Sequence, residues 1–220
     1  MRKLLLAATM LTGLAAFSTA DATQIIAFGQ VSGANTLTAT ANGAGTVTTL
    51  STDTAISITQ LFGNAPTAGF LDLNATSIDA AVGIGPALLQ HYSGTFAITS
   101  LAGGAGTNFL SGTFSDAAFG LATGEQLSIN VANPPDTLNL TSGVIAAADL
   151  VAPSTFTLSL SNLAPALSLD NATLSSFTAS YSGVASATTA APEPVSIALL
   201  GVGLLGLGIV RRRQRSNHTH

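Results

Sequence analysis

The sequence predicts an all-β, antiparallel, sandwich-like domain, and three observations carry that expectation. Apolar residues alternate with Ser and Thr over short runs, the breaks between runs are rich in Gly, Asn and Pro, and the tetrad Ser-Gly-Thr-Phe occurs twice.

The alternating runs are 46–50, 55–61, 95–99, 126–131, 155–160 and 173–181. Period two with β-branched enrichment marks strands that bury one face, and about eight to ten can be placed. Asn42-Gly43-Ala44-Gly45, Gly103-Gly104-Ala105-Gly106, Asn133-Pro134-Pro135-Asp136 and Ala164-Pro165 supply the turns between them. The tetrads are Ser93-Gly94-Thr95-Phe96 and Ser111-Gly112-Thr113-Phe114, with looser echoes ending at Phe156 and Phe177. In each, Phe is the expected inward anchor, and Ser and Thr face out. Their irregular spacing gives no solenoid period, which favours a sandwich over a β-helix. Two stretches, 77–92 and 144–150, read as short helices interrupting the strands. The β-rich domain is expected over 23–182, followed by a flexible spacer of small residues over 183–191.

Composition narrows what such a domain can do. Charged residues make up 7% of the chain, against about 25% in ordinary domains. Every Lys and Arg is at a terminus, so residues 23–191 hold only carboxylates: Asp53, Asp72, Asp79, Asp116, Glu125, Asp136, Asp149 and Asp170. A formal charge of −8 there excludes nucleic acid and anionic membrane surfaces as partners of the domain. With no Cys, stability has to come from packing and backbone pairing.

The ends carry a different kind of information. Arg2 and Lys3, an apolar stretch over 4–17 and small residues ending Ala20-Asp21-Ala22 follow the layout of a secretory signal peptide over 1–22. Cleavage is expected after Ala22, with Ala20 the alternative. At the other end, residues 195–210 are uncharged and almost wholly apolar, and Arg211, Arg212, Arg213 and Arg215 follow. Sixteen residues at 1.5 Å each span about 24 Å as a helix, a marginal crossing of a hydrocarbon core of about 30 Å. The arginines act as a cytoplasmic stop by the positive-inside rule, leaving 216–220 as a cytoplasmic tail and everything before Pro192 outside. Pro192-Glu193-Pro194 holds the chain extended just outside that transmembrane helix, in the form a protease cleft grips.

This order of Pro-Glu-Pro, short Leu/Gly-rich helix and terminal arginines resembles the PEP-CTERM sorting signal, over 192–215. The resemblance implies recognition and cutting by an exosortase, a membrane-embedded cysteine-protease-like enzyme of Gram-negative bacteria that make exopolysaccharide. It also implies export through the general secretion machinery, transient anchoring in the membrane, and delivery to the cell surface or extracellular matrix, with exopolysaccharide as a partner. It is an address, and the passenger's chemistry has to be read separately.

That chemistry is sparse. His91 is the only histidine before the tail, there is no Gly-x-Ser-x-Gly elbow, and no Cys can act as a nucleophile. A sugar cleft would lack Trp, has only Tyr92 and Tyr181, and has no cation in the domain. Asp72-Leu73-Asn74 resembles the start of a calcium loop without its further ligands, Asp170-Asn171 reads as a turn, and His218 and His220 lie beyond the arginines. Asn74, Asn139 and Asn171 begin Asn-x-Thr sequons and read as surface turns. No catalytic residue, metal site or cofactor is expected. The passenger reads as a non-enzymatic surface or matrix protein, with a carbohydrate-binding or carbohydrate-active module as the alternative.

Overall fold

A computed structural model describes residues 22–84, 87–121, 127–130 and 137–188 of the chain. In chain order the strands are β1 (Ala22–Gln30), β2 (Leu37–Ala41), β3 (Thr48–Leu61), β4 (Thr67–Ser77), β5 (Val82–Ile84), β6 (Ala87–Leu101), β7 (Ala105–Leu121) and β8 (Leu127–Asn130). They continue with β9 (Thr137–Thr141), β10 (Val151–Ala164), β11 (Leu169–Asp170), β12 (Thr173–Leu174) and β13 (Phe177–Thr188). The all-β, antiparallel expectation holds.

The pairings run β1–β3–β4–β6–β7–β8–β10–β13 and return from β13 to β1, every one antiparallel. The sheet therefore closes on itself as an up-and-down circuit of eight positions. Two positions are shared. β2 pairs β13 and β3 beyond the reach of β1, and β9 pairs β7 beyond β8, so each slot holds two collinear pieces. An eight-strand circuit is just wide enough for side chains to fill. Phe96 and Phe156 stack inside at 4.1 Å between centroids although two strands separate theirs around the wall, and Phe28 stacks on Phe156 at 6.5 Å.

Alternation sets the wall. On β13, Phe177, Ala179, Tyr181, Gly183, Ala185 and Ala187 point inward and are buried, while Ser182 and Val184 between them are exposed. Irregularities occur where the pattern breaks. A bulge in β1 lets the adjacent Ile25 and Ile26 both be buried. An extra residue in β7, with Asp116 at φ 60, puts both Phe114 and Ala117 inside.

The two tetrads pair with each other. Gly94 lies opposite Phe114 and Gly112 opposite Phe96 on β6 and β7, and Phe28 is opposite Gly183 where β1 meets β13. A Cβ on Gly112 would come within 2.7 Å of the Phe96 ring, and one on Gly183 within 2.2 Å of Phe28. Glycine leaves the space that the ring across the strand occupies. Phe96, Phe114, Phe156 and Phe177 are all buried, as inward anchors should be.

The hairpin β11–β12 seals one end. Its tip, with Asn171 at φ 53, rests against Gly45, and its buried Thr173 and Leu174 meet Thr48 and Gln90. The opposite end carries the β3–β4, β6–β7 and β9–β10 connections together with the start of β1 and the finish of β13, where Ala22 pairs with Thr188.

Three expectations change. Residues 77–92 are not helical where described: β4 ends there and a β5–β6 hairpin follows, because Gln90 and Tyr92 belong to the inner face of the wall. Only Ala147–Asp149 within 144–150 forms a turn of 3-10 helix. The expected spacer over 183–191 begins later, since residues 183–188 complete β13 with Ala185 and Ala187 fully buried; its remainder lies outside the described residues.

Candidate functional site

Of the residues singled out at the ends, Ala22 is described; it is exposed and opens β1. Ala20, Pro192, Glu193, Pro194, Arg211, Arg212, Arg213 and Arg215 lie outside the described residues.

Within the barrel, side chains with chemistry fall into three groups. The first is a buried polar cluster under the β11–β12 hairpin. Gln90 Nε2 donates to Thr173 Oγ1 at 2.9 Å and to the Asp79 carbonyl at 2.9 Å, while Gln90 Oε1 accepts from the Tyr92 hydroxyl at 3.0 Å and from the Leu174 N–H at 3.3 Å. Thr48 and Thr173 share a hydroxyl contact of 2.7 Å, and the Thr48 N–H donates to Ser77 Oγ at 2.9 Å. Satisfied in this way, the cluster fixes the hairpin in place. Burial pushes the Tyr92 hydroxyl well above the usual tyrosine value; Thr48 draws it partly back and Asp79 adds to the rise. Burial raises Tyr181 too, against the opposing pull of Thr54, Thr52 and Thr36.

The second is His91, whose Nδ1 pairs with Asp79 Oδ2 while its backbone N–H donates to Asp79 Oδ1 at 2.8 Å. The pair ties the segment after β4 onto β6, at a partly exposed surface position. Asp72 and Asn74, weighed as the start of a calcium loop, are instead outward residues of β4 on either side of buried Leu73. A strand holds them on one face without the turn that a calcium loop needs. Asp72 faces Asp53 across the β3–β4 pair, and the Gly103 N–H donates to both Asp53 carboxylate oxygens at 3.1 and 3.2 Å. Among the described residues no group of three or more His, Asp or Glu comes together.

The third is the outer face, which register makes coherent. Thr38, Ser51, Asn74, Thr95, Thr113 and Asn139 are direct cross-strand neighbours on β2, β3, β4, β6, β7 and β9, and all six are exposed. With strands about 4.8 Å apart, this is a continuous row of hydroxyl and amide groups across six strands. A parallel row runs Thr40, Thr49, Thr76, Ser93. Beyond it, Ser111 and Thr141 hydroxyls meet at 2.8 Å and Ser115 and Thr137 at 2.6 Å. Two of the sequon asparagines, Asn74 and Asn139, sit in strands of this face, and only Asn171 is in a turn. Every described aromatic is buried or half-buried, so the face offers mainly hydrogen-bond donors and acceptors, with the half-buried Phe70 among the outward positions of β4. It reverses the apolar outer band of a transmembrane barrel.

Compared with known proteins, the chain matches no family model, no curated protein and no solved structure. The outer face was partly legible as alternating Ser and Thr; its alignment into rows required the register.

Proposed function

We propose that the chain is an exported, exosortase-sorted protein of the cell surface or extracellular matrix, with a non-enzymatic antiparallel β domain as its passenger. The observation that carries the sorting half is the ordered tail: Pro192-Glu193-Pro194, the apolar stretch 195–210, then Arg211, Arg212, Arg213 and Arg215. In this reading the signal peptide directs the chain to the general secretion machinery, and the tail holds it in the membrane until the exosortase cuts near Pro192. The passenger half is supported by the six-strand row of hydroxyls and amides, a surface suited to exopolysaccharide or to copies of itself. A carbohydrate-active module would use exposed rings, and the described aromatics lie in the interior or half-buried.

The tail's parts have separable duties, and that is the test. Changing Pro192→Ala together with Pro194→Ala lets helix extend through the extended segment while leaving the apolar stretch and arginines intact. In a host with its exosortase, this variant is expected uncut in the membrane fraction by fractionation and intact-mass measurement. Release of a normally trimmed product would overturn the assignment. Glycan-array binding of the protein then examines the outer face.

A further inference from the structure

The hairpin β11–β12 is a two-stranded sheet separate from the wall, and its Thr173 meets the Gln90 carboxamide of β6 out of reach of water. Thr48, Gln90 and Thr173 are each 0% exposed. Two partners that can act in one sense alone fix which way the carboxamide points: the Leu174 N–H donates to Oε1 at 3.3 Å, and the Asp79 carbonyl accepts from Nε2 at 2.9 Å. Thr173 Oγ1 lies 2.9 Å from Nε2 and 3.3 Å from Oε1. A hydroxyl that close to both ends of the amide stands roughly 3–3.5 Å from the Cδ between them, a near-attack separation.

The surroundings suit attack at that carbon. The Tyr92 hydroxyl, at 3.0 Å, and the Leu174 N–H both donate to Oε1, where charge collects if Cδ becomes tetrahedral. The hydroxyls also stand in series. Thr173 Oγ1 is 2.7 Å from Thr48 Oγ1, Thr48 is hydrogen-bonded to Tyr92, and Tyr92 donates to Oε1. Thr48 can turn its own proton from the Leu174 carbonyl, 2.6 Å away, to Tyr92. A proton leaving Thr173 thus has a path to the carbonyl oxygen through neutral groups.

We propose that Thr173 and Gln90 condense into an internal ester, a covalent tie between hairpin and wall in a chain that has no cysteine for a disulfide. Oγ1 adds to Cδ while its proton passes through Thr48 and Tyr92 to Oε1. The tetrahedral centre then collapses: its O–H proton goes to Nε2, the Cδ–Nε2 bond breaks, and ammonia leaves. One hydroxyl and one carboxamide become one ester and one NH3, with no oxidant and no second reactant. Folding supplies the acceleration, since two groups held in contact react as if at about 10⁵–10⁸ M. Burial keeps out the water that would hydrolyse the product. The reaction occurs once per chain, on its own residues, and does not depend on the sorting reading.

Mass measurement on the full-length chain tests this. The folded protein is expected to be lighter by about 17 Da, one ammonia, than an unreacted chain with the same termini, and to keep that deficit when unfolded in urea. A succinimide at Asn42-Gly43 would remove the same mass. The position is therefore read from a chymotryptic digest, in which the peptides carrying Gln90 and Thr173 should be joined, and parted by alkaline hydroxylamine. Thr173→Val should abolish both the linked pair and its mass deficit, and Thr173→Ser should keep them. Tyr92→Phe removes one donor from Oε1 while keeping the ring, and should slow the appearance of the linked pair by about 10²–10³-fold. Full mass in protein that is β-rich by circular dichroism and melts cooperatively, or a deficit without the linked pair, overturns the ester. Linkage at an unchanged rate in Tyr92→Phe overturns the route through Tyr92.

Discussion

Adding one methyl group where β1 meets β13 reports on how tightly the barrel closes. The three atoms nearest to a Cβ built on Gly183 all belong to the Phe28 ring, at 2.2, 2.7 and 2.9 Å. Phe28 cannot simply swing aside, because it is buried and stacked against Phe156. Gly183→Ala therefore overpacks the interior and is expected to destabilise by about 1–3 kcal/mol, which for a domain of this size lowers the melting temperature by roughly 2–12 °C. Phe28→Ala alone removes a buried ring and is expected to cost about 3–5 kcal/mol. Combined, the two changes are less than additive: with the ring gone, the added methyl group fits and the strand gains the roughly 0.5–1 kcal/mol by which Ala exceeds Gly. Thermal and urea unfolding of the four proteins in a double-mutant cycle measure the coupling. If Gly183→Ala costs as much in the Phe28→Ala background as it does with the ring present, the ring-over-glycine account of this seam is wrong. Gly94→Ala is the contrasting case, since its Cβ would meet the Asn74 carbonyl at 2.2 Å and Ala75 Cα at 2.6 Å. Backbone stands in the way there, so truncating Phe114 should give no rescue.

Gln90→Leu takes a hydrogen-bond partner from the Tyr92 and Thr173 hydroxyls and from the Leu174 N–H at once, leaving the two hydroxyls with Thr48; a loss of about 1–3 kcal/mol is expected, with hydrogen exchange at Leu174 rising before that of β13. For the tyrosines, a folded pKa raised by burial gives stability that is whole below the ordinary tyrosine value of about 10 and is lost as pH climbs from there through the folded value. Tyrosinate absorbance should accordingly appear together with unfolding above about pH 10, and ionisation of Tyr92 at its ordinary value in the folded barrel would contradict the burial argument. Trypsin has no Lys or Arg to cut between residues 23 and 191, so a form trimmed near both expected processing sites keeps its intact mass under trypsin even when unfolded; internal fragments would show that the trimming differs.

Much of the wall was legible as alternation, because period two survives wherever a strand has one wet and one dry face. Thr155 to Leu160 lies within β10, and the expected run 55–61 and residues 48–50 of the run 46–50 proved to be parts of the single strand β3. Their joining was hidden because Thr52 and Thr54 continue the inner face with polar side chains, one buried and one half-buried, that bond to each other and to Tyr181. β1 escaped notice because two consecutive buried Ile residues break the period, and only the bulge against β13 explains them. The helix expected over 77–92 came from spacing Ile78, Val82, Leu88 and Leu89, two of which, Ile78 and Val82, turn out to be exposed. Closure itself leaves no local trace, since it depends on which distant strands meet. The hydroxyl rows were visible as composition, and their coherence across six strands was not.

The pairing of Phe28 with Gly183 joins positions 155 residues apart, within a strand pair that brings together residues from near the two ends of the described barrel. The neighbouring pairings β3–β4, β4–β6 and β6–β7 are short-range and can assemble as successive hairpins while the rest of the chain is still absent. The last strand also supplies a flank to β10, β1 and β2 at once. A chain appearing from its N-terminus therefore stays an open, curling sheet with an unsatisfied edge until β13 arrives, and only then does it lock. Any machine that threads it from that end handles an unsealed polymer until Thr188 has passed, and the barrel becomes a rigid body only then.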